Sequence, residues 1–175
     1  MNPWTQILDR IWFYLEEGPA SAGVTAAFAP ANRCRYGVDE RDAPVPQNAD
    51  EAVLIVDQSG GQLDLNHSPA HLRASEDFQI AIWTDTLALG KVNALRLAVA
   101  AALEAGLPDL GLARVLEVRM RTGRLTLALD KVEQDADGRL MQWRNDLRRS
   151  RQRAVLLELT VTFLIGRDEL SAAAT

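Results

Sequence analysis

The chain has 175 residues, 47% of them hydrophobic and 25% charged, and 19 Lys+Arg set against 24 Asp+Glu leave a formal net charge of -5. That length is enough to bury a core without covalent help, and the lone cysteine, Cys34, excludes an intramolecular disulfide and a multi-thiolate zinc site, which suits a reducing compartment. No run approaches about 18–20 uncharged apolar residues, so no membrane helix is expected. Met1–Leu15 carries Asp9 and Arg10 and has no cleavage pattern, so no signal peptide is expected.

The charge is uneven along the chain. Residues 1–113 hold 7 basic and 15 acidic side chains, residues 114–153 hold 11 and 6, and the remainder returns a balance of -2. Such polarity bears on association rather than on fold, and it suits copies that meet head to tail.

Asn2 and Pro3 open a helix, the first as a side-chain cap and the second at the first helical position. Trp4, Ile7, Leu8, Ile11, Trp12 and Leu15 form its apolar stripe, and Gly18-Pro19 stops it, giving an N-terminal helix over 2–18. The two tryptophans read as core contacts, with interface anchors as the alternative. Val24–Phe28 reads as a short strand that Asn32–Gly37 continues. Asp39–Gln47 is charged and holds Pro44 and Pro46, so 29–50 is an irregular arm, either a surface loop or a segment that orders against a neighbour.

Ala52–Val56 is short and β-branched, as a buried strand is. Ser59-Gly60-Gly61 breaks it, and a long polar connection runs from Asp57 to Ala70. His67 and His71 stand four apart around it, but Pro69 lies between them and no acidic or thiolate partner is near, so no metal site is assigned. Leu72, Ala74, Phe78, Ile80 and Ile82 alternate with Arg73, Ser75, Asp77 and Gln79, the period of a half-buried strand. After the polar Thr84-Asp85-Thr86, Val92, Leu95, Val99, Ala102 and Leu103 recur at helical steps, and Gly106 with Pro108 closes that helix.

Arg114–Thr122 alternates again, with Leu116, Val118 and Met120 on the apolar side, and Leu125–Leu129 suggests a partner strand. Asp135-Ala136-Asp137-Gly138 lacks the remaining ligands of a calcium loop and is read as a turn. Arg139, Arg144, Arg148, Arg149, Arg151 and Arg153 surround Trp143. That cluster is read as a solvated basic face, a face for an acidic protein, or a nucleic-acid contact. Ala154–Ile165 is a strand of about 40 Å with Val155, Leu157, Leu159, Val161, Phe163 and Ile165 on one face. Residues 168–175 form a small polar tail. No phosphate loop, nucleophile elbow or Cys–His arrangement is present, so neither catalytic residues nor cofactors are expected and the chain is read as a non-enzyme.

The order of elements, and the segments "FQIAIWTD…NALRLAVAAALEAG" and "RAVLLELTVTFLIG" within Asp50–Arg167, resemble the tail terminator (tail completion) proteins of long-tailed bacteriophages. The resemblance implies one α+β domain over 1–175, with sheet and main helix in 51–167. It implies a four-stranded, mainly antiparallel sheet packed against two helices, with extended loops. It further implies a homo-oligomer, a hexameric ring that caps the tail tube and joins the tail to the head–neck connector. The expected place is then the tail–neck region of a virion made in the host cytoplasm, with the tube and connector proteins as partners and nucleic acid only as DNA passing through the ring. Gln62, Asp64, Asn66, His67 and His71 in the long hairpin connection, and Arg144, Arg148, Arg149, Arg151 and Arg153, are the expected partner-facing residues. The alternative is a nucleic-acid-binding accessory protein that uses the Arg144–Arg153 cluster.

Overall fold

Asn2 caps the first helix as its sequence demands: its Oδ1 accepts from the Trp4 backbone N–H at 2.9 Å. In this computed structural model, which describes residues 2–35, 46, 50–84, 88–122, 133–134, 140–141 and 153–169, the helix is α1 (Pro3–Glu16). The elements that follow are α2 (Ala22–Ala27), a 3-10 turn at Pro30–Asn32, β1 (Arg33–Arg35), β2 (Ala52–Asp64), β3 (His71–Thr84), α3 (Leu89–Glu104), β4 (Val115–Thr122), the short β5 (Glu133–Gln134) and β6 (Leu140–Met141), and β7 (Arg153–Gly166).

The class is α+β, but the main sheet has five strands rather than four, in the order β1-β2-β3-β7-β4; β5 and β6 pair separately. The fifth strand is β1, which lies within the stretch expected to be an irregular arm and runs parallel to β2 from Arg33↔Leu54 to Arg35↔Val56. All other neighbours in the main sheet are antiparallel. The strong alternation of β7 puts it inside the sheet, paired with β3 along its whole length and with β4 on its other side.

Three expectations are corrected. Val24–Phe28 is not a strand: Ala22–Ala27 is helical, with Val24 buried and the Gly23 backbone close enough to Ala98 of α3 that a Cβ there would stand 3.2 Å from the alanine's own. Small residues permit that helix–helix approach, and packing outweighs the β preference of Val and Thr. Ser59-Gly60-Gly61 does not end β2. A β-bulge between Gln58 and Gly60 absorbs the irregularity, Gly60 takes φ +132, and pairing resumes to Asp64↔Arg73. The hairpin connection therefore shrinks to residues 65–70. In β4, a second irregularity between Val115 and Glu117 turns Leu116 to solvent, 49% exposed, and gives its core position to Val115.

One face of the sheet carries the helices. Ile7, Ile11, Trp12 and Leu15 of α1, and Val92, Val99 and Leu103 of α3, pack on Leu54, Phe78, Ile80, Leu159 and Phe163 in one buried cluster. Each such side chain contributes roughly 1.5–3 kcal/mol by leaving water. Trp12 is fully buried, and Trp4 packs edge-on against Phe163 with ring centroids 5.6 Å apart, so both tryptophans serve the core. The opposite face holds a smaller apolar cluster of Cys34, Val53, Ile55, Ala81 and Trp83 near one end. Toward the other end that face is polar.

Candidate partner interface

Along β3 the open face reads Arg73, Ser75, Asp77 and Gln79, while Leu72, Ala74, Phe78 and Ile80 point to the helices. Pairing aligns these residues in rows across the sheet. One row is Gln62–Ser75–Thr162–Glu117, the next is Gly60–Asp77–Thr160–Arg119, and a third is Asp57–Gln79–Glu158–Arg121. The first row, with Thr160 and Arg119 of the second and with Asp64 and Arg73, floors a shallow polar groove.

Thr160 Oγ1 donates to Asp77 Oδ1, beside the groove, at 2.6 Å, and within it the Ser75 and Thr162 hydroxyls lie 3.5 Å apart. Arg119 Nε donates to Glu117 Oε1 at 2.7 Å, and that carboxylate holds the guanidinium still more firmly protonated. Burial pushes the Asp57 carboxyl above its ordinary value, opposed by the Gln58 backbone N–H. The groove mixes both charges, Arg73 and Arg119 beside Asp64 and Glu117.

The hairpin formed by β2 and β3 ends in an exposed tip, residues 65–70. Of the expected partner-facing residues, Gln62 and Asp64 belong to β2 rather than to a loop, Asn66 and His67 lie in the turn, and His71 is the first residue of β3. All five are exposed. The tip is stapled from within and from outside. Asp64 Oδ1 accepts from the Asn66 N–H at 3.0 Å, and Ser68 Oγ accepts from the His71 N–H at 2.9 Å. From the end of β7, Arg167 donates through Nε to the Ser68 carbonyl at 3.1 Å and through its guanidinium to the Leu65 carbonyl. Leu65 in this tip is 58% exposed, and Leu63, two residues earlier in β2, is 45% exposed.

Sequence reasoning passed over Arg167, Leu63 and Leu65. The signal for the leucines was two apolar residues in an otherwise polar connection; no local signal marks Arg167, whose acceptors lie about a hundred positions earlier. The expected polar tail is tied down at least as far as Glu169, which accepts from the Gly166 N–H at 3.0 Å and pairs with Arg114, two contacts that lower its carboxyl below the ordinary range. Arg153 opens β7, whereas Arg144, Arg148, Arg149 and Arg151, like the expected strand at Leu125–Leu129, lie outside the described residues. Among the described residues no three of His, Cys, Asp and Glu gather as a metal site would require, and no helix is long and apolar enough to cross a membrane.

No family model matches the chain, and no curated protein matches it. Among solved structures, one chain of a "Virion of native gene transfer agent (GTA) particle" is similar, with a TM-score of 0.48 and 17% identity, covering 91% of this chain and 95% of that chain. A likeness at that level leaves the function to be argued from the chain itself.

Proposed function

We propose that this chain is a structural virion protein that acts as a ring, closing a phage-type tail tube and offering the surface that joins the tail to the head–neck connector. The observation that carries the reading is the β2–β3 hairpin. Its tip is bonded by Arg167 while Leu63 and Leu65 stay about half exposed to water. Exposed apolar side chains beside a tip bonded at both ends fit a contact with another protein better than they fit an isolated fold. The sequence resemblance to tail terminators supplies the kind of partner: further copies, the tube protein and the connector protein. The similar chain from a gene transfer agent virion agrees with this reading without carrying it. The role asks for no catalytic residue and no cofactor, and it places the protein in the tail–neck region of a virion assembled in a host cell.

Light scattering at several concentrations and two salt levels tests the ring. The expected mass is near six times 19.3 kDa. Tail tubes lacking their cap should be closed by the protein and left open by a Leu63→Ser, Leu65→Ser variant that remains folded. A chain that stays monomeric both free and in the presence of such tubes would overturn the proposal.

A further inference from the structure

We propose that neighbouring copies of this chain join through their sheets, with the β4 edge of one copy adding to the distal edge of β2, Asp57–Asp64, of the next. This rests on the reading of the chain as an assembling protein and names the contact.

Both edges are open among the described residues. β1 covers β2 only from Leu54 to Val56, and β4 pairs with β7 on one side alone. Among the described residues, Asp57–Asp64 and Val115–Thr122 therefore each present an edge without a partner strand, the kind of edge that templates pairing with another chain. The two stretches are also level. Pairing carries Val115 through Phe163 and Ala74 to Leu63, and Arg121 through Glu158 and Gln79 to Asp57. Because β2, β3, β7 and β4 alternate in direction, β4 runs opposite to β2. A copy displaced sideways with no shift along the strands thus offers its β2 edge antiparallel to β4, over the same heights.

Charge favours this neighbour. At that height Arg121 ends the row that Asp57 begins, so Arg121 of one copy meets Asp57 of the next. Among the described residues neither side chain forms an ion pair within its own chain. The contact is heterologous, one edge against a different edge, which is the kind that closes rings.

Cysteine pairing tests it. Gln62 and Glu117 end one row, so in the assembly they are cross-strand neighbours, within the roughly 4.4–6.8 Å Cα separation a disulfide needs. Gln62→Cys and Glu117→Cys are prepared as separate proteins, each with the buried Cys34 replaced by Ser, and oxidised alone or mixed. The proposal expects a covalent two-chain product from the mixture and from neither variant alone. In parallel, Asp57→Arg and Arg121→Asp should each weaken self-association by about tenfold or more, and the two changes in one chain should restore it. An oligomer that persists without mixed cross-linking and ignores both reversals would overturn the edge contact while leaving the ring standing. A strict monomer free and on tail tubes would overturn both. Cross-linking by Gln62→Cys alone would replace the head-to-tail contact with a symmetric one.

Discussion

The indole N–H of Trp4 donates to Glu76 Oε2 at 2.8 Å, joining the first turn of α1 to the buried face of β3 across 72 positions of sequence. Glu76 is a carboxylate at 7% exposure within an otherwise apolar face, so its acceptor and its donor depend on each other.

Removing one partner should cost more than removing both. Glu76→Ala leaves the indole N–H without its acceptor and opens space, and should lower unfolding free energy by about 2 kcal/mol. Glu76→Gln keeps a carbonyl acceptor and should lose about 1 kcal/mol or less. Trp4→Phe combined with Glu76→Leu should lie closer to wild type than the sum of the two single changes. Urea titration of the wild type and these five variants measures this. Equal losses for Gln and Ala would show that the hydrogen bond is not what matters there.

Gly61 lies beside the same carboxylate. A Cβ at Gly61 would come within 2.4 Å of the Ser75 carbonyl oxygen and 2.6 Å of Glu76 Oε2. The nearer atom is backbone and cannot rotate away, so Gly61→Ala should cost roughly 1–3 kcal/mol. Gly60→Ala should lose a comparable amount for a different reason, its φ of +132. Gly90, in the first turn of α3, has no neighbour within 4 Å of the added atom, so Gly90→Ala should gain up to about 1 kcal/mol. Thermal melts of the three variants should separate in that order of sign.

Those glycines also show where the sequence was legible and where it was not. The alternation of Leu72–Ile82 and of Val155–Ile165 located the two central strands, because burial on one face writes a period of two directly into the chain. The stripes of α1 and α3 were legible for the same reason. Ser59-Gly60-Gly61 misled because a bulge and a turn use the same residues; only pairing to Asp77 and Glu76 distinguishes them. Arg33–Arg35 falls within Asn32–Gly37, read as strand, but its place in the sheet was not legible, because a three-residue parallel strand has no pattern of its own and its pairing depends on Leu54–Val56. At the candidate interface, exposure of the hairpin residues followed from their polarity. The anchoring of the tip by Arg167 and the rows that align Asp57 with Arg121 arise only from long-range pairing.

Arg167→Ala should loosen the hairpin tip without unfolding the protein. The side chain reaches the Ser68 and Leu65 carbonyls from the surface, so global stability should fall by about 1 kcal/mol at most. Local opening should increase more visibly, with amide exchange at residues 65–71 accelerating about tenfold while β3 and β7 stay protected. Hydrogen exchange read residue by residue decides it. An unchanged tip would mean that the Ser68–His71 turn bonds are sufficient to hold it.

Two carboxylates should bend the pH dependence of stability in opposite directions. Glu169 is lowered by its hydrogen bond to Arg114 and by the Gly166 N–H. Its stabilising contribution is therefore complete above the ordinary glutamate range and is lost as pH falls through its lower folded value. Asp57 is raised by burial, so its contribution is greatest in acid and is lost as pH rises through its folded value. Glu169→Gln should flatten the acid limb of a urea-midpoint profile below the ordinary glutamate range, and Asp57→Asn should raise the midpoint near neutrality relative to wild type. For Asp57 the profile should also respond to assembly. If Arg121 of a neighbouring copy faces it, concentrating the protein should lower the Asp57 value and shrink the advantage of Asp57→Asn, whereas a profile independent of concentration would count against that pairing.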